Sequence, residues 1–228
     1  MHKAATADHK EHMTEQTLPD TAYRVTSHEI LALLAFEPGP GTALTRRVLG
    51  LADLPDDHDI VRAGVGTLNV RDTASVDGDV VSLHGPANFL ARVFSTATLW
   101  FDITRVGPDA VAPAYVVESP AGRVALFLRP LSEYVCLPMS DDADTLDMVE
   151  ATVNDAVGSA QTPSGGIITS RRYDRDGEPV IANIRVLEDG MLSLASAPVD
   201  ASGQLTVRDL QAAERPGSVV RSLLAGPA

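Results

Sequence analysis

The chain has 228 residues, a formal net charge of −13 and 44% hydrophobic residues, which is the composition of an ordinary globular protein. The negative charge argues against a nucleic-acid partner, because such binding depends on cationic groups that displace counterions from phosphates. A single cysteine, Cys136, excludes an intrachain disulfide and a cysteine-based metal site. No apolar run approaches the length of about 20 residues that spans a bilayer, so we expect a cytoplasmic protein.

The N-terminal segment differs in character from the rest of the chain. Residues 1–25 are polar and lack apolar periodicity, which predicts a flexible tail. Thr26 and Glu29 then have the spacing of a capping box, and an apolar stretch predicts a first helix over 27–36.

The next elements follow in the order of a winged helix. A short second helix ends at Gly50, and a third helix extends to about Asn69. The stretch VDGDVVSLHG, residues 76–85, predicts a tight β-hairpin because an Asp-Gly turn separates two short apolar runs. Pro86 is placed to open a fourth helix. Residues 26–97 are therefore predicted to form a winged-helix-like unit.

The charges of this unit weigh against DNA reading. The third helix offers only Arg62 and Arg71 as cations, and the tip of the wing carries Asp77 and Asp79. Carboxylates repel phosphates, whereas sequence-specific docking adds arginine or lysine contacts to the DNA backbone. We favour a protein-facing or structural module, and a transcriptional regulator with a C-terminal sensory domain stays open as an alternative.

The second half of the chain contains a possible internal repeat. GRVALFLRP (122–130) and GMLSLASAP (190–198) share the pattern Gly-x-(Val or Leu)-x-Leu-x-x-x-Pro, and each reads as a strand that follows other strands. Each precedes a helical stretch, the second of which should break at Pro216. We predict two quasi-repeated units of antiparallel β-meander plus helix, over 98–160 and 161–228. The fold class is therefore α+β.

This layout is similar to that of one known family. Its features are the winged-helix-like opening, the Arg-Asp pair at 71–72, the Gly-Asp turn at 78–79, the helix leading to Trp100 and the two sheet units. Together with the Arg-rich, Lys-poor composition, they resemble the EspG-type cytosolic chaperones of actinobacterial type VII secretion. The resemblance implies a non-enzymatic chaperone or adaptor with a stoichiometric protein partner, and it assigns no binding residue.

No motif for catalysis, a cofactor or a metal is found. GVGTLN (64–69) lacks the third glycine of a dinucleotide loop, so its glycines are better explained as helix-packing positions. Cys136 lies in EYVCLPM without a neighbouring cation, which favours a buried, unreactive thiol. We predict no catalytic residue and no cofactor, and a small-molecule or enzymatic site between the two sheet units remains an alternative.

Aromatic side chains on the first sheet unit are candidate partner contacts. Strand alternation separates aliphatic side chains from a mixed set that includes Trp100, Phe127 and Tyr134. Aromatic residues and arginines are enriched at interface hot spots. The alternative is that the N-terminal helices cover these side chains.

A basic patch on the second sheet unit is the other candidate. Alternation places Asn183 and Arg185 away from the core, and Arg172 can join them across an antiparallel strand pair. Two guanidinium groups and an amide on a rigid sheet suit the carboxylates or the helix C-terminus of a hydrophobic helical partner. Alternatively, Glu178, Glu188 and Asp189 neutralise the arginines in ordinary surface pairs.

Overall fold

A computed structural model describes residues 19–54, 58–107, 111–160, 166–187, 189–199 and 201–226. The N-terminal elements are β1 Tyr23–Thr26, α1 Ser27–Phe36, α2 Thr42–Val48, α3 His58–Val70, β2 Ala74–Asp77, β3 Val80–Leu83 and α4 Gly85–Ser95. The second half contains β4 Leu99–Val106, β5 Val111–Ser119, β6 Gly122–Arg129, β7 Glu133–Pro138, α5 Thr145–Ala160, β8 Gly166–Asp174, β9 Val180–Val186, β10 Leu192–Val199, β11 Leu205–Asp209 and α6 Pro216–Leu224.

The predicted helix-helix-helix-hairpin-helix order is confirmed. The side chain of Thr26 accepts a hydrogen bond from the backbone N–H of Glu29, whose carboxylate accepts from the backbone N–H of Thr26, so the capping box starts α1. Strands β2 and β3 pair through a turn at Gly78, which has φ +58°. That this unit belongs to the winged-helix class stays a prediction.

Two sequence boundaries are corrected by the structure. The predicted tail over 1–25 reaches too far, because Tyr23, Arg24 and Val25 pair with β7 and Val25 is fully buried; residues 1–18 lie outside the described residues. Pro216 begins α6 instead of breaking it, and the preceding residues 205–209 form strand β11. The first helical turn tolerates proline because its N–H groups lack intrahelical partners.

One antiparallel sheet of nine strands runs through the molecule, in the order β1-β7-β6-β5-β4-β8-β9-β10-β11. The two predicted meanders are each four strands long and are joined edge to edge by the pairing of β4 with β8. They therefore share one sheet. Whether the two halves are a true repeat stays a prediction.

Helices cover the two faces of this sheet over different strands. On one face, α1 and α4 pack over β4–β7 around a core that contains Phe94, Trp100 and Leu126. On the other face, α5 and α6 pack over β4, β5 and β8–β10 around a core that contains Phe101 and Ile184. The first core continues from the N-terminal helices into the sheet, across the predicted domain boundary at residue 97.

Candidate partner-binding surface

A quarter of the sheet surface carries no helix in the part of the chain that the structure describes. It lies on the α1/α4 face, over β8–β11 and over the ends of β4 and β5 that α1 and α4 do not cover, and we call it the open face. Its side chains form two rows across the strands: Val207, Ala195, Asn183, Thr169, Thr104 and Pro113, then Asp209, Ser193, Arg185, Ile167, Val106 and Val111.

The open face carries several exposed large apolar side chains. Val106 is 40% exposed, Ile167 42%, Val111 64% and Val207 65%, and the first three are consecutive neighbours in one row. Small side chains between them, such as Ala195 and those of the threonines, leave the floor flat. Contiguous exposed apolar area of this kind marks an interaction site more often than scattered single residues do.

Charged and polar groups stand beside the apolar floor. Arg185 is exposed and has no hydrogen-bond or ion-pair partner among the described residues. Arg171 donates to the carboxylate of Asp102 at 3.0 Å, and the hydroxyl of Thr104 donates to the same carboxylate at 2.6 Å. The side-chain oxygen of Asn183 is buried and has no partner among the described residues.

Only two of the predicted site residues lie on the open face. Asn183 and Arg185 share the open face, but Arg172 does not, because it pairs with Val180 on the face covered by α5 and α6. Arg171 takes the place predicted for Arg172. Alternation along β8 does not show which of two adjacent arginines faces the core. The pairing of β8 with β4 and β9 shows that Arg172 does.

Arg172 has a structural role inside the chain. Its guanidinium donates to the carbonyl oxygens of Leu224 and Ala225 at the end of α6, both at 3.0 Å, and to Asp174. A cation at a helix C-terminus satisfies the last carbonyl groups and interacts favourably with the helix dipole. The helix C-terminus expected on a partner is therefore supplied by the chain itself.

Trp100 and Tyr134 lie in the core, so the prediction that they form a surface is corrected. Trp100 is fully buried and stacks on Phe94 at 5.9 Å between ring centroids, and Tyr134 is 3% exposed. Helices α1 and α4 cover both rings, as the alternative interpretation had it. Phe127 is half-buried and points to the opposite face of the sheet, so these three aromatic residues do not form one surface.

Arg71 and Cys136, which a DNA-binding or a catalytic function could use, have structural environments instead. Arg71, which directly follows α3, donates to the carboxylate of buried Glu29 at 3.1 Å and lies over the ring of Tyr23, so its guanidinium is already bound within the chain. Burial raises the pKa of the Cys136 thiol to about 12, so this cysteine is not a nucleophile at neutral pH. Within the described ranges, no three His, Cys, Asp or Glu residues are grouped to hold a metal ion.

The fold that these elements define is a mixed α+β architecture in which one large antiparallel sheet lies between two helical layers. EspG5 of Mycobacterium tuberculosis, a type VII secretion system chaperone solved in complex with a PE25–PPE41 dimer, has a similar fold. Its TM-score is 0.52 at 11% identity, over 90% of this chain and 95% of that chain. At this identity the likeness shows the fold alone. No family model and no curated protein matches the chain.

A helix that spans a membrane needs a certain length and hydropathy. None of the described helices is long and apolar enough to cross a bilayer.

Proposed function

We propose that the chain is a non-enzymatic chaperone or adaptor of the cytoplasm that holds a protein partner on its open face. The observation that carries the proposal is the row of exposed Ile167, Val106 and Val111 beside Arg185, whose side chain has no partner among the described residues. A sheet normally buries its apolar face against a second layer. On this quarter, the partner would supply that layer.

The other half of the same face supports this interpretation. There the chain covers β4–β7 with its own helices, α1 and α4. A hydrophobic helical segment of a partner, lying beside them, would extend the same layer over β8–β11 and over the neighbouring ends of β4 and β5. The fold-level likeness to a type VII secretion chaperone is consistent with this class of function, and secretion substrates are the partners we propose to test first.

The charge of the open face limits the partner further. Arg185 is an exposed cation on a chain of net charge −13. A carboxylate on the partner would therefore be attracted to Arg185 and repelled by most of the remaining surface. Arginine binds a carboxylate through two parallel hydrogen bonds, which fixes orientation as well as affinity. We therefore propose a helical partner that is apolar with an acidic group at one side.

The experiment is quantitative co-purification from the native host. The double variant Ile167→Asp with Arg185→Glu changes two exposed side chains, so its Tm should stay within about 2 °C of the wild type, since such surface changes cost little. We expect it to recover at least tenfold less partner. The matched control is Val70→Asp with Arg62→Glu, an exposed valine and arginine on α3. Equal recovery by the open-face variant and the wild type would refute the proposal.

A further inference from the structure

The turn between β6 and β7 has an unusual backbone. Arg129 pairs with Glu133, and the three residues between them form the tip of the hairpin. Leu131 has φ 65° and ψ 26°, and Ser132 has φ 55°, so two successive residues with side chains occupy the left-handed region. A leucine there places its Cβ close to the following carbonyl oxygen, which is why glycine, asparagine and aspartate dominate such positions.

Other turns of the chain follow the usual rule. The β2–β3 hairpin has Gly78 at φ 58°, and the remaining described residue with a side chain at positive φ is Asp72, a type that tolerates this conformation. Leu131 and Ser132 are the exceptions. Local backbone preference therefore does not account for the leucine.

Packing does not account for it either. Leu131 is 96% exposed, the largest value among the exposed large apolar residues of the described chain. A single exposed leucine is common and needs no explanation. A leucine that is both exposed and held in a left-handed turn contradicts two local rules together, and such conflicts are expected where a residue serves function.

The neighbourhood of the turn indicates the chemistry of a partner. The Arg129 side chain is exposed and makes no hydrogen bond or ion pair with the described residues, and half-buried Phe127 lies on the same side of β6. We infer that Leu131 is an anchor that inserts into an apolar pocket of a protein partner, with Arg129 pairing with a carboxylate on the rim of that pocket. The inference rests on the proposed function only in that the partner is a protein, since this turn is separate from the open face.

The test places the photocrosslinking amino acid p-benzoylphenylalanine at Leu131 in the full chain, expressed in the organism that encodes it. We expect one defined adduct with another protein, and at least a tenfold loss of that adduct in an Arg129→Glu background. Arg92→Glu, an exposed arginine of α4, is the matched control and should leave the yield unchanged. Met191, which is 50% exposed at another turn, is the control position for the crosslinker.

Several results would overturn the inference: a yield at Leu131 no higher than at Met191, an adduct insensitive to Arg129→Glu, or an adduct with a second copy of this chain. Stability gives an independent readout. Leu131→Gly and Leu131→Asn should raise the Tm by about 2–4 °C because they relieve the left-handed strain, and a fall in both would show that the leucine is needed for folding. If the open-face variant loses its partner but Leu131 gives no adduct, only the inference fails. If Leu131 gives its adduct but the open-face variant recovers as much partner as the wild type, only the proposed function fails.

Discussion

Two glycines two residues apart in α3 should respond oppositely to alanine. A Cβ on Gly64 would lie 2.2 Å from the carbonyl oxygen of His28 and 2.8 Å from the Cβ of Ala32, both in α1. A Cβ on Gly66 would have nothing within 4 Å. Only the first glycine is therefore required by the close approach of α1 and α3.

The size of each effect follows from this geometry. A carbon–oxygen contact of 3.0 Å would need α1 to retreat by 3.0 − 2.2 Å, about 0.8 Å, although Ala32 and its neighbours are fully buried. Overpacking costs about 1–3 kcal/mol, and the backbone oxygen cannot change rotamer, so the upper end applies. Alanine also gains about 1 kcal/mol of helix propensity, which offsets part of this cost. Gly64→Ala should therefore lower the free energy of unfolding by about 2 kcal/mol, or the Tm by roughly 4–8 °C.

Gly66→Ala should gain about 0.5–1 kcal/mol, because it keeps the propensity gain without the clash. Thermal unfolding followed by circular dichroism would measure both variants beside the wild type. If Gly64→Ala is as stable as Gly66→Ala, then α1 and α3 do not approach each other as closely at Gly64 as described.

Three further outcomes are expected. Glu29→Gln should lower the free energy of unfolding, measured in urea, by about 1.5–3 kcal/mol, because the fully buried carboxylate binds Arg71. Arg71→Ala should lower it less in the Glu29→Gln background than in the wild type. Arg172→Ala should lower the Tm in scanning fluorimetry, since it removes the donor to the last carbonyls of α6; an unchanged Tm would contradict this role. Hydrogen bonds, above all from Arg208, lower the pKa of Glu214 from 4.5 to about 2. The stabilisation from the Arg208–Glu214 ion pair is therefore fully present above pH 4.5 and is lost as the pH falls toward 2. A carboxyl NMR titration should show that value, and Arg208→Ala should move it back toward 4.5.

Short-range signals were sufficient for most of the N-terminal elements. The Thr26 and Glu29 capping box satisfies backbone groups within three residues, Gly78 allows the positive φ of its turn, and Pro86 lacks an N–H that the first helical turn would leave unpaired. Each effect is local, so it can be predicted without tertiary context. Strand β1 escaped notice because four residues are too few for alternation to stand out, and only pairing with β7 defines them.

The surface depended on information that no short window contains. Ile167 and Ile168, like Arg171 and Arg172, are adjacent pairs, so either register of β8 gives a plausible inner face. The pairing of Arg171 with Asp102 on β4 and of Ile168 with Ile184 on β9 selects one register. Which quarter of the sheet stays open depends on where α1, α4, α5 and α6 pack, and that is a long-range outcome.

We propose that the chain works as one component of a protein complex. Native mass spectrometry of the tagged chain, recovered from its own host at native abundance, measures this most directly. We expect a species heavier than 24.1 kDa by the mass of one defined partner, with a fixed stoichiometry. Recovery of the 24.1 kDa chain alone, from cells in which it is fully folded, would contradict the claim.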